Sequence, residues 1–289
     1  MSRPSPATRL RSILEGPGMM VMPCCFDALS ARLIERAGFP VTFMSGFAVS
    51  ATRLGLPDTG LISFGEMVEQ GRNICAAVDL PVIGDGDTGY GNPINVKRTV
   101  ESYARAGFAA IMIEDQYWPK RCGHTQGKRV VPWEEAMTRM RAAVDAREEG
   151  ADILILARTD SRATHGMSEA IDRAKAFADL GADITFLEAP RTEDEMRAYC
   201  SSVPGPKMAN MVEQGATPIL PPERLEAIGF KLAAYPLTLM SAAMRAMQEA
   251  LSALARGETP GDLLDFAEIR DIVGFSRYYA EEERYSEKE

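Results

Sequence analysis

Eight short, predominantly apolar runs recur along the chain, at 19–23, 41–44, 81–84, 109–113, 153–157, 184–187, 206–209 and 231–234. Each is followed by a stretch with helical spacing, at 28–37, 64–78, 95–106, 133–148, 168–180, from 193, 222–228 and 237–255. A strand with no polar alternation is covered on both faces, and strands that alternate with amphipathic helices form parallel sheets. Eight such units predict closure into an α/β (β/α)8 TIM barrel. The alternative is an open Rossmann-like sheet, but no G-x-G-x-x-G opens a helix after a strand.

A 289-residue chain with 46% hydrophobic residues can fill a barrel of this size. Its net charge of −9 and the lack of any Lys/Arg block argue against a nucleic-acid surface. No apolar run is long enough for a membrane, and the five scattered cysteines carry no C-x-x-C pair. These features point to a cytoplasmic protein that acts on a small molecule.

The runs end in a consistent chemical class: Ser45, Asp85 and Asp87, Glu114, Arg158, Glu188 and Asn210. In a barrel these ends converge on one mouth, where active sites lie. In Gly84-Asp85-Gly86-Asp87-Thr88-Gly89, two carboxylates two residues apart on a glycine-rich turn suit a hard divalent cation. The bland alternative is a turn with solvated acids. Farther on, Lys120-Arg121-Cys122-Gly123-His124 surrounds a thiol with cationic groups, which favours a proton donor or nucleophile. Gly123 and Gly127 give that loop freedom to close. Arg158 needs an anionic partner, either the substrate or a structural pair with Glu188 or Asp160. Cys24, Cys25, Cys75 and Cys200 read as structural, His165 as a surface residue, and the methionines of 237–255 as core.

With these motifs, together with Phe26-Asp27-Ala28, Ser45-Gly46-Phe47, Leu54-Gly55-Leu56-Pro57-Asp58, Ile113-Glu114-Asp115-Gln116, Asn210-Met211 and Tyr235-Pro236-Leu237, nearly the whole chain resembles the isocitrate lyase and phosphoenolpyruvate mutase superfamily. Its K-x-C-G-H loop is similar to that of the carbon–carbon lyase branch, which includes 2-alkylmalate and dimethylmalate lyases and petal death protein. The resemblance implies a Mg2+-dependent enzyme, with Mn2+ as an alternative metal. It also implies retro-aldol cleavage of a 2-hydroxy dicarboxylate, such as a substituted malate, into an α-keto acid and a carboxylate.

By the same resemblance Asp85 and Asp87 hold the metal, while Cys122, Lys120, His124 and Glu114 are catalytic, with Cys122 the acid. Ser45, Gly46, Phe47, Asp58, Gly123, Arg158, Glu188 and Asn210 bind substrate. The chain departs from the pattern in two places. Phe47 stands where several members have Tyr, and Leu239-Met240-Ser241-Ala242 lacks an arginine that methylisocitrate lyases place there, although Arg270 matches another.

The alternatives are methylisocitrate lyase, oxaloacetate hydrolase or decarboxylase, phosphorus–carbon chemistry of the carboxyphosphonoenolpyruvate mutase kind, and a barrel without catalysis. The expected domains are a barrel over 1–257 and a helical extension over 258–289. The apolar stripe of the extension needs another surface, either a second subunit or the same barrel, and the resemblance implies a homotetramer whose subunits exchange these helices.

Overall fold

The computed structural model describes residues 3–123 and 127–286. The chain divides into two compact units, Met1–Leu239 and Met240–Glu289. In the first, eight parallel strands close in chain order into a barrel: β1 (Met20–Cys25), β2 (Thr42–Met44), β3 (Val82–Asp85), β4 (Ala110–Glu114), β5 (Leu154–Thr159), β6 (Ile184–Leu187), β7 (Lys207–Asn210) and β8 (Leu232–Tyr235). Closure runs through β1 and β8, with Met20 opposite Leu232 and Pro23 opposite Tyr235.

The helices of this unit begin with α1 (Pro6–Glu15), which precedes the barrel, α2 (Ala28–Arg36), α3 (Gly46–Leu54) and α4 (Phe64–Ala77). They continue with α5 (Pro93–Ala106), α6 (Trp133–Glu148), α7 (Arg162–His165), α8 (Met167–Asp179), α9 (Glu193–Ser202) and α10 (Pro222–Ile228). Their starts follow local chemistry. Asp27 and Ser30 form a reciprocal capping box on α2, and Ser63 and Glu66 another on α4. Gly107, at φ 99°, ends α5 in the left-handed conformation that glycine adopts without steric cost.

Register places side chains from neighbouring strands at common heights. Phe43, Ile83, Met112, Leu156, Phe186, Met208 and Leu232 belong to one buried interior cluster, so the barrel is a filled core rather than a pore. One level higher, Glu114 lies opposite Arg158 on the adjacent strand, and Asn210 opposite Ala234. The polar mouth therefore rests on an apolar floor.

Three features depart from the sequence reading. Helices α1, α3 and α7 were not anticipated. Arg158 and Thr159 lie inside β5 rather than beyond it. The methionines of 237–255, read as core, fall on α11 (Thr238–Ala255), where only Met240 and Ala253 are buried and Met244 and Met247 are exposed. The second unit also contains α12 (Phe266–Val273) and α13 (Phe275–Tyr285); Phe266 and Ile269 on α12, and Leu263 and Leu264 in the segment before it, are exposed apolar side chains. His165 is exposed, as expected, and is hydrogen-bonded to Thr164.

Candidate active site

A cleft of about 200 Å3 opens at the C-terminal ends of the strands. That volume suits a small metabolite rather than a nucleotide or polymer. Its polar lining includes Ser45, Asp58, Asp85, Lys120, Cys122, Arg158, Glu188 and Asn210, with Phe47 and Gly123 beside them. Three expected residues stand just outside this lining: Gly46, Asp87 and Glu114. His124 lies outside the described residues.

Two charge clusters organise the site. In the first, Lys120 Nζ donates to Asp58 Oδ2 at 2.8 Å and lies 2.6 Å from Asp58 Oδ1 and 2.8 Å from Asp87 Oδ1. All three residues are buried. Burial pulls the Lys120 pKa down, but Asp87, Asp58, Asp85 and Glu114 outweigh it and hold the ammonium protonated well above its usual range. For Asp85, burial and the neighbouring Asp87 raise the carboxyl to about 6, against the opposing pull of Lys120. Asp85 also accepts from Gly46 N at 3.2 Å, at the start of α3, whose N-cap is Ser45. A Cβ on Gly46 would lie 2.4 Å from Asp85 Oδ2, so residue 46 must be glycine for this approach.

In the second cluster, Arg158 contacts three buried carboxylates. Its Nε lies 3.3 Å from Glu114 Oε2 and 2.8 Å from Asp160 Oδ2, and its Nη2 lies 3.1 Å from Glu188 Oε2. Burial lowers the Arg158 pKa, but these acids more than reverse it, so the guanidinium is held charged. Burial also drives Glu114 well above the carboxylate range despite Arg158. Asn210 Nδ2 donates to Glu188 Oε2 at 3.3 Å. Both pairings considered for Arg158 from sequence, with Glu188 and with Asp160, are therefore present together.

Oδ2 of Asp87 and Oε1 of Glu114 are buried and receive no hydrogen bond among the described residues, whereas Asp87 Oδ1 is met by Lys120 Nζ at 2.8 Å. Buried, unsatisfied carboxylate oxygens are costly unless a cation or a donor meets them. Asp87 is also held at φ 48°, in the left-handed region where a non-glycine residue is strained, a common property of functional sites. This chemistry fits a hard divalent cation. No group of three or more His, Cys, Asp or Glu among the described residues could hold an ion by itself. Water and substrate oxygens would have to complete the coordination, as Mg2+ commonly requires.

The loop that carries Cys122 closes on a short neck. Gln116 bridges Val130, Tyr117 N donates to Arg129 O at 2.9 Å, and Val131 N donates to Asp115 O at 2.8 Å. Gln116 also exchanges two hydrogen bonds with the Arg121 backbone, which fixes the segment just before Cys122. Gly123 lies directly on the second cluster, where a Cβ would come within 2.5 Å of Arg158 Nη2 and Glu188 Oε2.

The apolar lining was missed from sequence: Phe43, Met112, Phe186, Met208, Val212, Ala234, Pro236 and Leu237. The signal existed in the strands, since their inward positions share one height. It could be extracted only with the barrel register.

The family profile described as phosphoenolpyruvate phosphomutase matches residues 10–255. The 2,3-dimethylmalate lyase of Eubacterium barkeri is 41% identical over 284 residues, covering 97% of this chain and 98% of its own. The chain belongs to the phosphoenolpyruvate mutase/isocitrate lyase superfamily. Among solved structures, oxaloacetate acetylhydrolase in complex with the inhibitor 3,3-difluorooxalacetate matches with a TM-score of 0.94 at 34% identity, covering 98% of both chains. A phosphonopyruvate hydrolase complex with oxalate and Mg2+ matches with a TM-score of 0.87 at 30% identity, covering 98% of this chain and 99% of the other. The superfamily member described here is an enzyme.

Proposed function

We propose that the protein is a Mg2+-dependent oxo-acid lyase, with Mn2+ as a substitute metal, that cleaves the C2–C3 bond of an alkyl-substituted malate such as 2,3-dimethylmalate. The observation that carries this reading is the mixed lining of the cleft, in which Asp85, Lys120, Arg158 and Cys122 stand together with Phe43, Phe47, Met112 and Phe186. A dicarboxylate with methyl substituents matches both kinds of lining. The likenesses to the dimethylmalate lyase and to the Mg2+-bound neighbour support the substrate and the metal.

Asp85 and Asp87 would hold the cation, with Asp58 and Glu114 in support. Bound there, it would supply Lewis-acid polarisation of the substrate's hydroxyl and carboxylate oxygens. Ser45, Gly46 and Asn210 orient a carboxylate, and Arg158, fixed by Glu188, supplies the positive field for the keto-acid half. The ionisable bases lining the cleft are Asp58, Asp85 and Glu188, and the hydroxyl proton passes to one of these carboxylates. Phe47 carries no hydroxyl and contributes bulk. As C2–C3 breaks, its electron pair stays on C3. Cys122 protonates that carbon, while Lys120 and His124 stabilise the transient negative charge. From 2,3-dimethylmalate the products are pyruvate and propionate.

A second reading, hydrolysis of oxaloacetate to oxalate and acetate, is favoured by the likeness to the oxaloacetate acetylhydrolase structure. Proton NMR time courses with Mg2+ and separate samples of 2,3-dimethylmalate, 2-methylmalate, methylisocitrate and oxaloacetate decide between them. Keto acid released from a malate derivative, and stopped by EDTA, supports the lyase. Acetate from oxaloacetate alone replaces it with the hydrolase. The exposed apolar side chains of α11 and α12 further support self-association, and a homotetramer built through these helices is part of the proposal.

A further inference from the structure

Lys128 plays no part in the chemistry above, yet its side chain is only 5% exposed and its ammonium sits between two functional pieces. Nζ donates to the backbone carbonyl of Gly123, the residue next to Cys122. It also lies 3.4 Å from Asp160 Oδ1. Asp160 is the carboxylate that grips Arg158 with two hydrogen bonds, Nε to Oδ2 at 2.8 Å and Nη2 to Oδ1 at 3.0 Å. It is fixed from behind, because Asp160 N donates to Asp115 Oδ1 at 2.9 Å, and Asp115 Oδ2 accepts from Arg173 Nη1 at 3.0 Å and Thr159 Oγ1 at 2.7 Å. Arg173 Nη1 also reaches Val131 O, at the neck of the Cys122 loop. A rigid frame thus holds Asp160, and Lys128 is the one bridge from that carboxylate to the Gly123 carbonyl among the contacts described.

We propose that Lys128 is a positioning residue, a latch that ties the Cys122 loop to Asp160 so that the thiol is held over the cleft in register with Arg158. The bland alternative is that Lys128 only balances the charge of Asp160. Arg158 already supplies that balance in bidentate form, and a charge role gives no reason for the bond to Gly123 O. The kinetic consequence rests on the lyase reading, whereas the structural consequence does not.

The test uses full-length Lys128→Met, which keeps the aliphatic stem and removes the ammonium, together with Asp160→Asn and the double variant. The first readout is the rate of iodoacetamide modification at Cys122, followed by peptide mass spectrometry. With the latch released, Cys122 should react about tenfold faster than in the wild type, since thiol modification depends on access as well as on ionisation. A rate within twofold of the wild type overturns the proposal. The double variant should react no faster than the faster single variant, and effects that multiply overturn action through Asp160. If Asp160→Asn does not fold, the Lys128→Met rate alone decides. The second readout is cleavage of a substituted malate. Displacing the proton donor by about an ångström should lower kcat about 100-fold with little change in KM, and a change in KM alone overturns the proposal. Wild-type protein that cleaves none of the substrates would refute the lyase reading and leave the modification test intact.

Discussion

Cys122 and Lys120 stand two residues apart and should fail in different ways when changed. Cys122→Ser keeps the size of the side chain but replaces the proposed proton donor with a far weaker acid. Cleavage should fall by about 10²–10⁴-fold, the usual worth of a general acid, while the unfolding free energy stays within about 0.5 kcal/mol. Full activity in that variant would refute the assigned role. Lys120→Met leaves Asp58 and Asp87 buried without their shared cation. Removing one partner from a buried ion pair typically costs about 3–5 kcal/mol, so this variant should lose both activity and a large part of its urea midpoint. The acids and the thiol were legible in the sequence because strand ends and a glycine-punctuated loop are local patterns. Asp160 was legible only as one of two partners for Arg158. Arg173 and Arg139 were not legible at all. Arg173 reaches Asp115 from α8, and Arg139 reaches the Glu114 and Gln116 carbonyls from α6, across intervals that sequence spacing does not encode.

At the scale of elements, eight strands and most of their helices followed from apolar periodicity. Two of the three unanticipated helices, α1 and α3, show where periodicity is weak. α1 precedes any strand, although Ser5 as N-cap and Pro6 at the first position are a start signal. α3 begins on Gly46 directly after a three-residue strand, so its first turn reads as a loop. Contacts between elements are a further layer that periodicity cannot supply. Gly71 on α4 faces Phe108, and a Cβ there would lie 2.1 Å from Phe108 Cζ. Phe108 stacks on Tyr103 of α5 with ring centroids 4.7 Å apart, and Tyr103 Oη donates to Asp85 O at 2.7 Å. Gly71→Ala should therefore overpack the α4–β3–α5 contact and cost about 1–3 kcal/mol, read from chemical denaturation. Phe108→Leu in the same chain should recover part of the loss by making room. Strictly additive losses would show that the glycine serves another purpose.

For the whole molecule, stability and assembly each have a chemical handle. Burial raises the Cys25 thiol from an ordinary 9.0 to about 12. The folded state then keeps a proton that the unfolded state loses, so this contribution is constant below about pH 9 and declines as pH rises toward 12. Three pH units at 1.36 kcal/mol each give a loss of about 4 kcal/mol across that window. Cys25→Ala should flatten this part of a stability curve measured by denaturation between pH 8 and pH 11, and an unchanged slope would contradict the assignment. The proposed self-association rests on the 240–289 unit. There Leu251, Leu254, Leu263, Leu264, Phe266 and Ile269 are all exposed, with Phe266 at 73%, beside Glu268, Arg270 and Asp271. An apolar stripe flanked by alternating charges is suited to specific, symmetric pairing rather than open-ended aggregation. Wild-type protein in light scattering after gel filtration should therefore run at four times the monomer mass. The Leu263→Glu/Phe266→Glu variant should run smaller at the same concentration while keeping its circular dichroism spectrum. A wild-type monomer would leave the stripe without a partner of its own kind and remove self-association from the proposal. A smaller but fully active variant would show that each cleft is complete within one chain.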